Sequence, residues 1–417
     1  EMCIRDRSGG RVMTLRALLT GALRPVSGVF LSLLGAIFLH PQYGLAQVVW
    51  PISRDPTMVI GVVDGPPEET FHKIRGAVAA DNGMVVVADG GSAELRVYSA
   101  EGDFVRSFGR IGDGPREFRM LSWIDMCGGP MIVAYDRFRR RITKWDTEGV
   151  LQDEFLVEGV AADLPPYRVR CGPSGSFVVM GWSHPRDADG EGPYRPIVPI
   201  GLADERGRPV RVLGDFPTDE RLRTGAQDGP YFFGRRTSIA MGPAGVYVGT
   251  ADSFSVELID SKGAQTTFGL DRPLQPMSDA SREQWIDWYL DEKQTPDSRR
   301  ASFKRTMLQS EWVPHVPPAY GEVLVDNVGF VWVEPYVIGK PVVDTRVEWT
   351  VFDSQGTLVA TAMLPGGFRP TEIGTDYLLG VGEDEFGIER VYRYTPVSYT
   401  HLTLPTMRLR CRSRWSP

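Results

Sequence analysis

Six segments along the chain repeat one pattern: an apolar strand, a tight polar turn usually with glycine, and a second strand rich in Val, Phe or Tyr. They are "VAADNGMVVVAD" from Val78, "IDMCGGPMIVAYD" from Ile124, "VRCGPSGSFVVMG" from Val169, "IAMGPAGVYVGTAD" from Ile239, "VLVDNVGFVWVEPY" from Val323 and "IGTDYLLGVGED" from Ile373. Each reads as a hairpin. A third strand follows most of them, as in "ELRVYSAEG", "RITKWDTEG", "PIGLADERG", "SVELIDSKG" and "EWTVFDSQG". These close on Gly102, Gly149, Gly207, Gly263 and Gly356, the residue type that tolerates the positive φ of a tight turn. A fourth strand such as "DFVRSFG" or "TLVATAML" completes a four-stranded antiparallel sheet.

A sheet that is apolar on both faces must bury both, and repetition of such units predicts an all-β, six-bladed β-propeller. The sixth unit ends at "ERVYRYTPV" without a fourth strand, while "TMVIGVV", Thr57 to Val63, is strand-like and has no sheet of its own. The N-terminal strand is therefore expected to close the ring by completing the last blade. A short helical insertion, from about Ser278 to Trp312, interrupts the series. There Ser278 is a plausible N-cap, Trp285, Trp288 and Tyr289 share one face, and Phe303, Met307 and Leu308 form a second apolar stripe.

The glycine cluster in "SFGRIGDGPREF" (Ser107 to Phe118) raises the question of a phosphate loop. Such a loop must lead from a buried strand into a helix whose N-terminal amides hold the anion, and no helical pattern follows Phe118. The glycines are read as a crossover between blades, with Phe118 plugging the gap between two sheets.

Both ends look foreign to the fold. "MCIRDR" (Met2 to Arg7) and "VSYTH" (Val397 to His401) can be encoded by the two strands of one inverted DNA repeat, which resembles read-through of a transposase adapter. Residues 1–12 and 397–417 are accordingly set apart. Residues 13–46 read as a secretory signal: Arg16 and Arg24, the apolar "VSGVFLSLLGAIFL", and "GLA" before Gln47. The mature propeller is expected to span 47–396, exported to the periplasm or secreted, without a membrane span and as a monomer.

Removing the nine basic and two acidic residues of the two ends leaves 37 bases against 51 acids, a net charge of about −14 that would repel a phosphate backbone. Nucleic acid is excluded as a partner on that ground, and the one basic run, "RFRRR" (Arg137 to Arg141), is read as a solvated turn. Two cysteines remain, Cys127 and Cys171, at matching places in neighbouring units. In an exported protein they are expected to form a disulfide between blades.

The stretch "VVVADGGSAELRVYSAEGDFVRSFGRIGDGPREF" resembles an NHL-type repeat, and Gln47 to Pro396 as a whole resembles exported bacterial six-bladed β-propellers. Asp89 and Arg96 match the aspartate and arginine of that repeat, and Asp136 and Arg141 match them one unit later. The resemblance implies a structural role for all four. Later units depart from the pattern.

Candidate ligand-facing residues stand beside the insertion and beside the polar loop "SHPRDADGEGPYRP" (Ser183 to Pro196): Trp182, His184, Tyr231, Arg235, Arg236, Trp285, Trp288, Tyr320 and Tyr336. Adjacent arginines among aromatics can hold a carboxylate, a sulfate or a sugar acid; alternatively Arg235 and Arg236 are one salt bridge and one exposed residue. Catalytic constellations are thin. The stretch 47–396 contains only His72, His184 and His315, no close His pair and no G-x-S-x-G, and Glu334 and Asp326 are isolated carboxylates near the fifth unit. The reading is an exported binding or scaffold module for a protein or a small anionic or carbohydrate ligand, contacted on the face bearing the insertion, with no cofactor. The alternative is a channel-centred, metal-dependent hydrolase or lyase using calcium or zinc.

Overall fold

A computed structural model describes residues 48–80, 82–161, 164–182, 190–224, 227–231, 233–310, 312–338, 345–384 and 387–396. The signal segment, both foreign-looking ends, His184 and residues 183–189 of the polar loop lie outside these.

The repeats become antiparallel sheets in chain order. Sheet I is Ile74–Ala79, Val85–Asp89, Glu94–Tyr98 and Phe104–Phe108; sheet II is Leu121–Met126, Ile132–Asp136, Arg141–Trp145 and Leu151–Leu156. Sheet III is Pro166–Cys171, Phe177–Gly181, Ile197–Ala203 and Pro209–Pro217; sheet IV is Ser238–Gly242, Gly245–Gly249, Ser255–Asp260 and Gln265–Gly269. Sheet V is Val323–Val325, Val331–Val333, Arg346–Phe352 and Leu358–Pro365, and sheet VI is Arg369–Ile373, Leu378–Glu383 and Glu389–Tyr394. The strand missing from sheet VI comes from the other end of the described chain, where Met58–Ile60 pairs antiparallel with Glu389–Tyr394. The five turn glycines all adopt φ between +73° and +97°, as their hairpins require.

Successive side chains of a strand point to opposite faces, so a strand covered on both sides reads as an unbroken apolar run. In Val85–Asp89, Val86 and Ala88 pack with sheet II around Leu121, Ile124 and Trp145, whereas Val85 and Val87 pack with Leu379, Val381 and Val391 of sheet VI. The same division recurs. One core joins sheets II and III through Tyr135 and Phe177, one joins III and IV through Met180 and Val248, one joins IV and V through Tyr247 and Phe352, and one joins V and VI through Trp349 and Tyr394.

The crossover loop behaves as its sequence suggests. Phe118 is fully buried between sheets I and II, and the strand Leu121–Met126 follows it with no intervening helix. Asp89 accepts the amides of His72 and Gly91 and pairs with Arg96 at 3.1 Å. Asp136 accepts the amides of Arg119 (2.6 Å), Met120 (3.2 Å) and Arg139 (3.0 Å). Each aspartate thus fastens the incoming loop to the end of a second strand. Arg141 departs from the first unit, reaching Glu154 at 3.1 Å and the carbonyls of Gly114 and Glu117 rather than Asp136. Arg137, Phe138 and Arg140 are exposed, so the basic run is a solvated turn except for the buried Arg141. Cys127 and Cys171 form the disulfide, Cα to Cα 6.0 Å, between sheets II and III.

Three features differ from the sequence expectation. Sheet V has a fifth strand, Val49–Trp50, lying parallel to Leu358–Pro365, with Trp50 packed on Phe330 and Trp332. A separate three-stranded sheet (Gly192–Tyr194, Arg221–Thr224, Gln227–Pro230) is built from segments whose short, charged runs carry no strand signal. In the insertion, helices Asp279–Glu292 and Asp297–Gln309 form as expected and the Ser278 hydroxyl caps the first at the Ser281 amide, but Phe303 is exposed rather than part of an apolar stripe.

Candidate functional site

The insertion buries Trp285, Ile286 and Leu290 against Tyr231, Phe233 and Val313. This core fixes the first helix beside the ends of sheets V and VI, and a pocket of ≈ 320 Å³ opens between them. Arg236 enters it from the segment before sheet IV, Trp288 from the helix, Glu322, Glu334 and Tyr336 from the flanks of the first two strands of sheet V, and Arg369 from the start of sheet VI. Phe368, Val337 and Val347 add an apolar side.

The electrostatics are mixed. Glu334 is pushed up to about 7, first because burial penalises its charge and second because the Glu322 charge is close; the hydrogen bond from the Glu322 amide, then Arg369 and Arg236, pull the other way. Burial also raises the Tyr336 phenol. Arg236 and Arg369 form no ion pair within 4 Å among the described residues, and both are exposed.

A second cavity, ≈ 110 Å³, lies between the first strands of sheets II to VI. Its wall includes Trp123 and Asp125 of sheet II, Arg168 and Arg170 of sheet III, Ser238 of sheet IV, and Glu322, which also lines the pocket. Asp125 is pushed up to about 7 by burial and then by the charge of Glu372. Burial lowers Arg170, whose guanidinium donates to the Val169 carbonyl at 3.0 Å.

Of the nine candidate residues, the structure brings Arg236, Trp288, Tyr320 and Tyr336 together at the pocket. Tyr320 is almost wholly buried there, its hydroxyl donating to the Ser255 carbonyl at 2.7 Å. Trp285 lies behind the wall, edge-on to Phe233 and Tyr336. Tyr231 is buried with its hydroxyl on the Trp312 carbonyl. Arg235 is held by Glu220 at 2.8 Å and Asp252 at 3.5 Å, so of the two adjacent arginines one is a salt bridge and the other is exposed toward the pocket. Trp182 stands elsewhere, tilted against Tyr167 and with the Arg221 guanidinium over its ring, each 4.8 Å away. His184 is outside the described residues.

Sequence reasoning passed over Asp125, Arg170, Glu322 and Arg369 and treated Glu334 as isolated. The signal was present in "YRVRC", where Arg168 and Arg170 take alternate positions of a first strand and so share a face, and in "SWIDM", where Asp125 is the one charge on an otherwise largely apolar first strand. Asp326, the other carboxylate considered, is a turn residue, accepting the amides of Val328, Gly329 and Phe330 and the Trp332 indole.

Fold and site together define an all-β protein of repeated four-stranded antiparallel sheets, with a two-helix insertion walling a charged pocket. Among the described residues no helix is long and apolar enough to cross a membrane. No family model and no curated protein matches the chain. Solved structures do: a member of the DUF4221 family from Bacteroides vulgatus (8% identity, 82% of this chain and 97% of that one, TM-score 0.47), a gluconolactonase from Xanthomonas campestris (12%, 83% and 100%, 0.43), and virginiamycin B lyase from Staphylococcus aureus (10%, 81% and 98%, 0.40). Identities of this size leave the chemistry to the residues themselves.

Proposed function

We propose that the chain is an exported six-bladed β-propeller, its ring closed by Met58–Ile60 as the outer strand of the last blade, acting as a binding module for a small anionic carbohydrate. Six cores that each join two sheets, the last of them shared by sheets VI and I, support the ring. The cavity between first strands is then the propeller axis, and the pocket lies at the end of the axis that carries the insertion.

The observation that carries the ligand class is the pocket wall. Arg236 and Arg369, without carboxylate partners within 4 Å among the described residues, suit a ligand carboxylate, and Trp288, Tyr336 and Phe368 offer ring faces and edges to the apolar side of a sugar. Titration of the mature protein with galacturonate and its short oligomers, followed by calorimetry, tests this. Binding that falls tenfold or more in Arg236→Ala supports the module, and failure of every sugar acid to bind removes it.

A second reading, an acid–base hydrolase or lyase centred on the axis, is favoured by one observation: Glu334 and Asp125 are both pushed up to about 7, where a carboxyl group can give or take a proton near neutrality. Among the described residues no three His, Cys, Asp or Glu side chains cluster as a metal site requires, so the calcium or zinc of this alternative has no donor set to be assigned to. Turnover of an oligogalacturonate that is lost in Glu334→Gln would establish the enzyme.

A further inference from the structure

Five charged side chains approach the axis from four different sheets: Asp125 (sheet II), Arg170 (III), Glu322 and Glu334 (V) and Arg369 (VI). No ion pair joins any two of them within 4 Å among the described residues, although Arg170 senses Glu322, Asp125 and Arg369, and Glu334 senses Glu322 and Arg369. Charges removed from bulk water are normally paired or hydrogen-bonded. Among the described residues Asp125 accepts only the Met126 amide at 2.8 Å and Arg170 donates only to the Val169 carbonyl at 3.0 Å, which leaves both with further hydrogen-bonding capacity toward the cavity. Asp125, Arg170 and Glu322 line the cavity from three sheets with no ion pair among them, while Glu334 and the exposed Arg369 line the adjoining pocket. Whatever fills the cavity must satisfy both signs at once.

We infer that the axial cavity is a second subsite, continuous with the pocket through Glu322, which takes the hydroxyl-bearing end of a polyhydroxylated ligand. The chemistry selects hydroxyls. A simple anion would face Asp125 and Glu322, a simple cation would face Arg170, and an apolar group would leave all three without a partner in the cavity; Arg168, also in the wall, is already paired with Asp219 at 2.7 Å. A hydroxyl donates to a carboxylate and accepts from a guanidinium, so a short run of them bridges the mixed wall with no change in net charge. Ser238 adds a further donor, since its oxygen already accepts the Val323 amide at 3.2 Å. At ≈ 110 Å³ the cavity has room for several waters, and so for the end of a short polyol.

This subsite deepens the reading of the pocket and rests on it for the carboxylate end of the ligand, but a neutral polyol tests it separately. The mature protein is titrated with erythritol and, in parallel, with galacturonate, using ligand-observed NMR. Erythritol binding is expected to weaken at least tenfold in Arg170→Met and in Asp125→Asn and to stay unchanged in Arg236→Ala, whereas galacturonate binding falls in Arg236→Ala. Should Arg170→Met fail to fold, Asp125→Asn and the near-isosteric Glu322→Gln carry the comparison. Absence of erythritol binding to the wild type, insensitivity to the cavity variants, or preference for glycine over erythritol overturns the subsite. If galacturonate binding survives any of these results, the pocket reading stands without it.

Discussion

Glu322 and Glu334 hold each other in place: the Glu334 carboxylate accepts the Glu322 amide at 3.0 Å, while the Glu334 amide donates to the Glu322 carbonyl at 2.9 Å. The arrangement sets one carboxylate beside another in the pocket wall, and it makes the protein's stability depend on pH.

The sign follows from the raised carboxyl of Glu334. An acid whose folded-state value of about 7 lies above its ordinary 4.5 binds more protons folded than unfolded between those limits. Stability from this group is therefore full below about pH 4.5 and is lost as pH rises through 7. Glu334→Gln removes the titration while keeping an acceptor for the Glu322 amide. Its melting temperature relative to wild type should be higher at pH 8 than at pH 5; an equal difference at both values would contradict the assignment.

Asp136 is completely buried and collects three backbone amides. Asp136→Ala strands those donors, and a loss of about 3 kcal/mol or more is expected from their desolvation. The control is Asp113→Ala, whose carboxylate pairs with Arg119 and Arg139 at the surface and should cost far less. Urea unfolding of the two variants ranks them.

Phe118 fills the gap between sheets I and II, whereas Ile111, its bridge partner in the same loop, is 66% exposed. Phe118→Ala should destabilise by about 3–5 kcal/mol, and Ile111→Ala by about 0.5 kcal/mol or less. Similar losses for both would mean the loop is not anchored through the phenyl ring.

The Cys127–Cys171 bridge joins residues 44 apart in sequence and fastens sheet II to sheet III. Replacing both by alanine should lower stability by about 2–4 kcal/mol, measured by denaturant unfolding. Intact mass should rise by two hydrogens on reduction; an unchanged mass would show free thiols and remove the basis of the comparison.

The sheets were legible because their second strands bury both faces, which writes apolar runs such as "VVVA" and "IVAY" between fixed turn glycines. Strands that gain stability by adding to an edge leave a weaker trace: Val49–Trp50 is two residues long, and the strands around Arg221–Thr224 are partly buried with no alternating pattern. At the site, aromatic residues near the insertion were visible because the helical period groups them. Asp125 and Arg170 left only a local trace, charges on otherwise apolar strands, and their meeting with Glu322 left none, because it comes from the convergence of separate sheets.

The pairing of Met58–Ile60 with Glu389–Tyr394 has a consequence for the order of events in making the protein. The contact from Thr57 to Arg393 spans 336 residues, so everything between them must emerge before the early strand finds a partner. Until then that strand and the last sheet both offer open edges, and such edges invite association with other chains. A chain cut short before Glu389 would carry this exposure permanently. Synthesis past Glu389 is thereby coupled to concealment of both edges.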